Sequence, residues 1–252
     1  MIKAILFDIS GVLYEDNEPV IGAVDTINQL QYSGIPLRFV TNSSRSTEAM
    51  ILTSLQKMGF SINNSQVFTA PSAIKHFLQA NKLRPYCLIH PDLEPEFTRF
   101  NQLDPNAVVV ADAAERFDYT HLNIAFELLL KGAPLIGIGR NRYFKSGGKL
   151  CLDAGPFIQA LEYAAGVEAQ IMGKPDPAFF MAAINSLGFK PEEVLMIGDD
   201  AEADIEGALS VGLQACLVQT GKYRQSDESR ILSLGGECVP SIVEAITPFL
   251  HN

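Results

Sequence analysis

Nothing in this chain runs apolar for the ~18 residues a membrane-spanning helix needs, so none is expected. The N-terminus goes straight into a strand-like run and lacks the basic region and cleavage site of a signal peptide, so no secretory leader is expected. Metal-ligand patterns of cysteine or histidine are missing too. Cys87, Cys151, Cys216 and Cys238 share no ligand spacing, and Cys87 and Cys216 sit in apolar runs. They read as reduced, mostly buried thiols of a cytoplasmic protein. His76, His90, His121 and His251 do not cluster, and His90 reads as a satisfied strand-end histidine. Basic residues are scarce: 19 Lys and Arg face 29 Asp and Glu, a net charge of −10. That balance argues against nucleic acid and anionic membrane as partners. No GxGxxG follows a strand-like run, which counts against a Rossmann nucleotide site.

What is present is a large apolar fraction, 47% of 252 residues, enough for one α/β domain plus an insertion. The chain is organised around Ile5–Tyr14, ILFDISGVLY. Ile5, Leu6 and Phe7 form a short apolar run, as expected of a strand buried on both faces. It ends in Asp8, and Gly11 turns the chain. A second strand around Leu37–Val40 runs into Thr41-Asn42-Ser43-Ser44. Any of Asn42, Ser43 or Ser44 could cap the helix expected over 47–58. Met50, Ile51, Leu55 and Met58 would line its apolar face.

A fresh strand–helix series starts near Pro85 and runs to Ala165, too long and regular for a loop. Residues 73–169 therefore read as an inserted α/β domain, and 1–72 with 170–252 as the core. After it come Met172-Gly173-Lys174-Pro175, then the strand Val194–Ile197 ending in Gly198-Asp199-Asp200, with Asp204 beyond. Leu213–Val218 reads as the last clear core strand, and Ser241–Leu250 as a terminal helix.

Four apparent strand ends thus carry polar residues: Asp8, Thr41-Asn42, Lys174 and Asp199-Asp200. In a parallel sheet with right-handed crossovers they would line one edge. Two or three carboxylates can hold an octahedral Mg²⁺. A lysine supplies fixed charge for a phosphoryl group, and a hydroxyl and an amide can bond its oxygens. That set suits phosphoryl transfer, with Asp8 as the nucleophile of an aspartyl-phosphate.

The motifs FDISGVLY, VTNSS, MGKPDP and IGDDAEAD, in this order, resemble those of the haloacid dehalogenase-like phosphatase superfamily. The stretches RPYCLIH, GRNRYFK, LDAGPF and TGKYRQSDE resemble its large-cap branch. The resemblance covers essentially the whole chain. It implies an α/β fold, a Rossmann-like doubly wound parallel sheet core with an inserted α/β cap. It implies Mg²⁺ held by Asp8, the Ser10 carbonyl and Asp199, with Asp200 and Asp204 as outer or alternative ligands. Thr41 and Asn42 would bind phosphoryl oxygens, and Lys174 would neutralise both phosphate and Asp8. Large caps of this type support dimers in the family, so a homodimer is compatible.

One position departs from the pattern. Most phosphatases of the superfamily read DxD, the second aspartate acting as general acid and base, and here Ser10 stands there. Serine is a poor proton donor at neutral pH. The expectation is therefore hydrolysis of P–N or pyrophosphate bonds, or of a small phosphorylated substrate, rather than broad phosphomonoester cleavage. The competing reading is a non-catalytic phosphate-binding protein of the same fold. Retention of Asp8, Lys174 and Asp199 together favours the enzyme, because a binder gains little from a nucleophile that needs charge compensation.

Overall fold

The computed structural model describes residues 1–146 and 149–250; His251 lies outside them. The chain packs as two compact units. The first comprises Met1–Thr41, Glu48–Phe68 and the chain from Lys174 onward, and the second Asn42–Thr47 and Thr69–Gly173. The sequence put these boundaries at 72/73 and 169/170.

The first unit is built on a six-stranded sheet. Its spatial order is Glu237–Val239, Gln214–Val218, Val194–Gly198, Ala4–Asp8, Leu37–Thr41, Val67–Thr69. Numbered along the chain this is 3-2-1-4-5-6 read from the Val67–Thr69 edge, the order of a doubly wound Rossmann-type sheet. The pairings from Glu237–Val239 to Leu37–Thr41 are parallel. All five residues of Ala4–Asp8 and of Val194–Gly198 are buried, which explains why both read as continuous apolar runs. Alternation divides them between faces. Ile5, Phe7, Leu195, Ile197, Cys216 and Val218 share one core with Ala23, Ile27 and Leu30 of helix Ala23–Tyr32 and with Ile242 and Ile246. Phe7 stacks on Phe39 with ring centroids 5.5 Å apart.

The second unit holds a parallel four-stranded sheet ordered Gln170–Ile171, Leu135–Gly137, Ala107–Val110, Pro85–Leu88. Helices Tyr119–Leu130 and Ala154–Ala165 pack on each other beside it. An antiparallel hairpin, Tyr143–Ser146 with Lys149–Leu152, completes the unit.

Several expectations need correction. The helix after Ser44 starts only at Glu48, so Asn42, Ser43 and Ser44 are too far upstream to cap it. Its Met50 is exposed, and only Leu55 is fully buried. Leu213–Val218 holds the last core strand, Gln214–Val218, but one more strand follows it. Glu237–Val239 adds a sixth at the edge, where half-exposed residues leave little apolar signal. Of the four cysteines only Cys216 is buried, although all four are free thiols. The strand before Lys174 belongs to the second sheet, pairing Gln170 with Ile136. Lys174 therefore does not end a core strand; it sits in the loop before helix Pro177–Asn185.

Candidate active site

In a sheet of this order, ligands bind outside the carboxyl ends of the strands where the winding reverses. Here that point lies between Ala4–Asp8 and Val194–Gly198, and a carboxylate stands at each end: Asp8 closes the first strand, and Asp199 follows the second. Asp8 is 7% exposed and Asp199 2%. Asp8 sits opposite Val40, so Thr41 is the next residue out on the neighbouring strand.

Lys174 and Asp204 complete a buried cluster. The Lys174 ammonium, 4% exposed, is ion-paired to Asp8 and lies 2.6 Å from Asp204 Oδ1. Burial alone would lower the lysine pKa, but the two carboxylates outweigh it and hold the group firmly charged. Asp204 is 1% exposed, and its Oδ2 accepts the Asp200 N–H at 3.1 Å. Burial drives its carboxyl upward, and Lys174 only partly opposes that.

Asp199 has no lysine of its own at this depth. Burial, then the charges of Asp8 and Asp204, push its carboxyl up to about 8, with the Lys222 N–H bond to Oδ2 (2.8 Å) pulling the other way. Two glycines make its seat. Gly11 (φ +87°) and Gly221 (φ +61°) adopt left-handed backbone, and a Cβ on either would overlap the Asp199 carboxylate.

Oxygens of Asp8, Asp199 and Asp204 lie within 4.8 Å of one another. A buried set of carboxylates with more negative charge than one lysine can balance is a fitting seat for a hard divalent cation with oxygen ligands. Asp200 is placed differently. Its Oδ1 accepts the N–H groups of Glu202 (3.2 Å) and Ala203 (2.9 Å), and its Oδ2 faces Lys222 Nζ at 3.1 Å. Burial raises its carboxyl, but the Ala203 N–H and Lys222 outweigh that and leave it below the usual value.

Ser10 is exposed and bridges to Tyr14 in the turn after Asp8. Asn42 belongs to the second unit. There it lines a small cleft with Ser44, Ile138, Gly139, Asn141 and Asp153. In the same unit Arg140 is held by Glu162 through two bonds of 2.9 Å. His90 accepts the Asp92 N–H at 3.3 Å, as a satisfied loop histidine would.

Sequence reasoning missed Lys222 and its turn. Thr220-Gly221-Lys222 follows a core strand and so lies on the same edge as Asp8 and Asp199; the strand-end argument applied to the other strands would have found it. Thr220 Oγ1 donates to the Gly11 carbonyl and Gly221 N–H to Glu15, locking this turn to the loop after Asp8.

In sequence the chain matches the haloacid dehalogenase-like hydrolases. The profile of that family matches residues 5–101, and a second, described as HAD-hydrolase-like, matches 171–245. Phospholysine phosphohistidine inorganic pyrophosphate phosphatase of Xenopus laevis is 44% identical over 234 residues, 90% of this chain and 87% of its own. Haloacid dehalogenase-like hydrolase domain-containing protein 2 of Homo sapiens is 43% identical over 230 residues, 91% and 89%. A hypothetical protein of Pyrococcus horikoshii has the same fold, with a TM-score of 0.88, 27% identity and 98% of both chains covered. The chain belongs to the haloacid dehalogenase-like hydrolase family and is an enzyme, a phosphatase of that family. No helix among the described residues is long and apolar enough to cross a membrane.

Proposed function

We propose that the protein is a Mg²⁺-dependent phosphohydrolase that works through an aspartyl-phosphate on Asp8, on P–N or pyrophosphate bonds or on a small phosphorylated substrate. The observation that carries this reading is the Asp8–Lys174 ion pair at the winding-reversal point, beside the carboxylate of Asp199. Of the three clustered acids, Asp204 is 1% exposed and tied to Lys174 and Asp200 N–H, and Asp199 is seated by glycines and Lys222 N–H. Asp8, the most exposed of them, suits attack.

Asp8, Asp199 and the Ser10 carbonyl would hold the cation, with Asp204 behind them. When bound, Mg²⁺ supplies charge neutralisation for the phosphoryl oxygens. Lys174 does the same from the protein side and lowers the repulsion between the Asp8 carboxylate and the incoming phosphoryl group. An Asp8 oxygen attacks phosphorus, the bond to the leaving group breaks, and water later releases phosphate from Asp8. Thr41 and Asn42 bind the phosphoryl oxygens. The inserted unit, 73–169 in the sequence reading, acts as the cap that selects the leaving group.

Ser10 supports the bond class. Without a second aspartate, the leaving group must depart with little help from an enzyme acid. Nitrogen already protonated, or phosphate, meets that condition better than an alkoxide. The 44% identity to a relative named for phospholysine, phosphohistidine and pyrophosphate points the same way. Free thiols support a reducing, cytoplasmic setting, and the large-cap resemblance supports a homodimer. The test has two parts. Beryllium fluoride with Mg²⁺ should form a stable adduct with wild type and none with Asp8→Asn. A panel of phospholysine, phosphohistidine, pyrophosphate and alkyl phosphates should rank the alkyl esters last; an alkyl phosphate at its head refutes the bond assignment.

A further inference from the structure

The acidic edge of the first unit carries a second lysine that the proposed chemistry leaves without a role. Lys222 meets both members of the Asp199-Asp200 pair through different groups: its backbone N–H bonds Asp199 Oδ2 at 2.8 Å, and its Nζ stands 3.1 Å from Asp200 Oδ2. We infer that Lys222 is a positioning residue that keeps Asp199 available to Mg²⁺ and withholds Asp200 from it, setting the cation's affinity. This rests on the Mg²⁺ reading above.

Three observations support the division of labour. Asp200 is engaged on both oxygens, Oδ1 capping the turn at Glu202 and Ala203 and Oδ2 on Lys222, whereas the clustered acids are Asp8, Asp199 and Asp204. The lysine's own position is fixed by its turn. Thr220 donates to Gly11, Gly221 to Glu15, and Tyr223 Oη bonds Glu228 Oε1 at 2.5 Å, which also accepts from Gln219 Nε2 at 2.6 Å. Among the four aspartates and the two lysines they face, Asp8, Asp199, Asp200 and Asp204 against Lys174 and Lys222, there is an excess of two negative charges, the charge of one divalent ion. Without Lys222 the excess grows to three and Asp200 loses its partner, so the edge would hold the cation more tightly.

The backbone N–H survives any side-chain change, so Lys222→Met removes the charge and leaves the Asp199 bond in place. Mg²⁺ titrations by calorimetry at constant pH should compare wild type, Lys222→Met, Asp200→Asn and the double variant. Removing one positive charge this close to a divalent ion should tighten binding roughly three- to tenfold in Lys222→Met. Asp200→Asn should change wild-type affinity by less than about twofold, since that carboxylate is engaged elsewhere, yet weaken the Lys222→Met protein by roughly threefold or more. Lys222→Arg should stay near wild type, and Lys222→Gln replaces the methionine variant if that one misfolds. Unchanged or weaker binding in Lys222→Met, or independent effects of the two substitutions, overturns the assignment and leaves the Mg²⁺ reading standing. No Mg²⁺ binding in any variant overturns both.

Discussion

Asp199 sits where it is bad for the metal-free fold, and that can be measured. Its carboxyl is raised from 3.8 to about 8, by burial first and then by Asp8 and Asp204. A carboxyl whose folded pKa lies above its unfolded one contributes stability that is fully present below about pH 4 and is lost as pH rises through about 8. At ~1.4 kcal/mol per pH unit the ceiling is about 6 kcal/mol. Asp204 is buried beside Asp199 with its own carboxyl raised, so the two do not give up protons independently and the realised effect is smaller, about 1–3 kcal/mol. Asp199→Asn keeps the shape, and its amide oxygen can still accept the Lys222 N–H. In EDTA at pH 8 the variant should therefore melt higher than wild type, by roughly 2–10 °C for a chain of this size. At pH 5 the folded wild-type carboxyl is protonated and the gap should narrow, closing only below about pH 4, where the unfolded chain is protonated as well. Mg²⁺ should raise the wild-type midpoint at pH 8 and do little for the variant. Thermal denaturation across that pH range, with EDTA or Mg²⁺, reads all of this. An Asp199→Asn protein less stable than wild type in EDTA at pH 8 refutes the reasoning.

Asp8→Asn should abolish turnover with the fold intact, as circular dichroism and steady-state assays will show; retention of even roughly a tenth of wild-type rate rules out Asp8 as nucleophile. Gly221→Ala would force a Cβ into the Asp199 carboxylate and to 2.7 Å from Gly11 Cα, at positive φ. It should cost ~1–2 kcal/mol from backbone conformation alone and weaken Mg²⁺ binding, read by melting and calorimetry; unchanged Mg²⁺ affinity would show that Asp199 does not need this seat. Ser10→Asp should raise alkyl phosphate hydrolysis relative to P–N and pyrophosphate cleavage, by up to the ~10²–10⁴-fold that general acid help supplies; an unchanged substrate ratio defeats the Ser10 argument.

Much of this was legible because a parallel sheet buried on both faces writes itself as apolar runs with abrupt polar ends. Ala4–Phe7 and Val194–Gly198 are buried and carry no charge, so Asp8 and Asp199 stood out as the first charged residues after each run. Lys174 was found through its motif, and the strand-end reasoning attached to it was wrong: the two-residue strand Gln170–Ile171 pairs in the other sheet, and nothing local in six residues of sequence says which sheet a strand joins. Glu237–Val239 escaped notice because an edge strand with one exposed and two half-buried residues has neither apolar run nor alternation. The N-cap expectation failed for a different reason. Asn42, Ser43 and Ser44 have cap chemistry, but the chain takes three more residues before Glu48 begins the helix, and these belong to the second unit.

The site also explains why its acids can be told apart although all are aspartates. Each carboxylate is defined by its donors. Asp8 has Lys174, Asp204 has Lys174 and the Asp200 N–H, Asp199 has the Lys222 N–H, and Asp200 has two N–H groups of its own turn and the Lys222 ammonium. Fixed donors stabilise a carboxylate where it is and make it a worse nucleophile, so the acids most enclosed by them are the least suited to attack. Asp200 and Asp204 each have more than one such donor, Asp8 and Asp199 one apiece, and of these two Asp8 is the more exposed, which fits the proposal that it is the one that attacks. Ser10 then matters for what it fails to add. A second carboxylate two residues on would bring a proton to the leaving group, but it would also add negative charge to an edge that already exceeds its lysines. A hydroxyl there lowers the electrostatic cost of assembling the site and, under the proposed mechanism, favours leaving groups that depart without a strong enzyme acid.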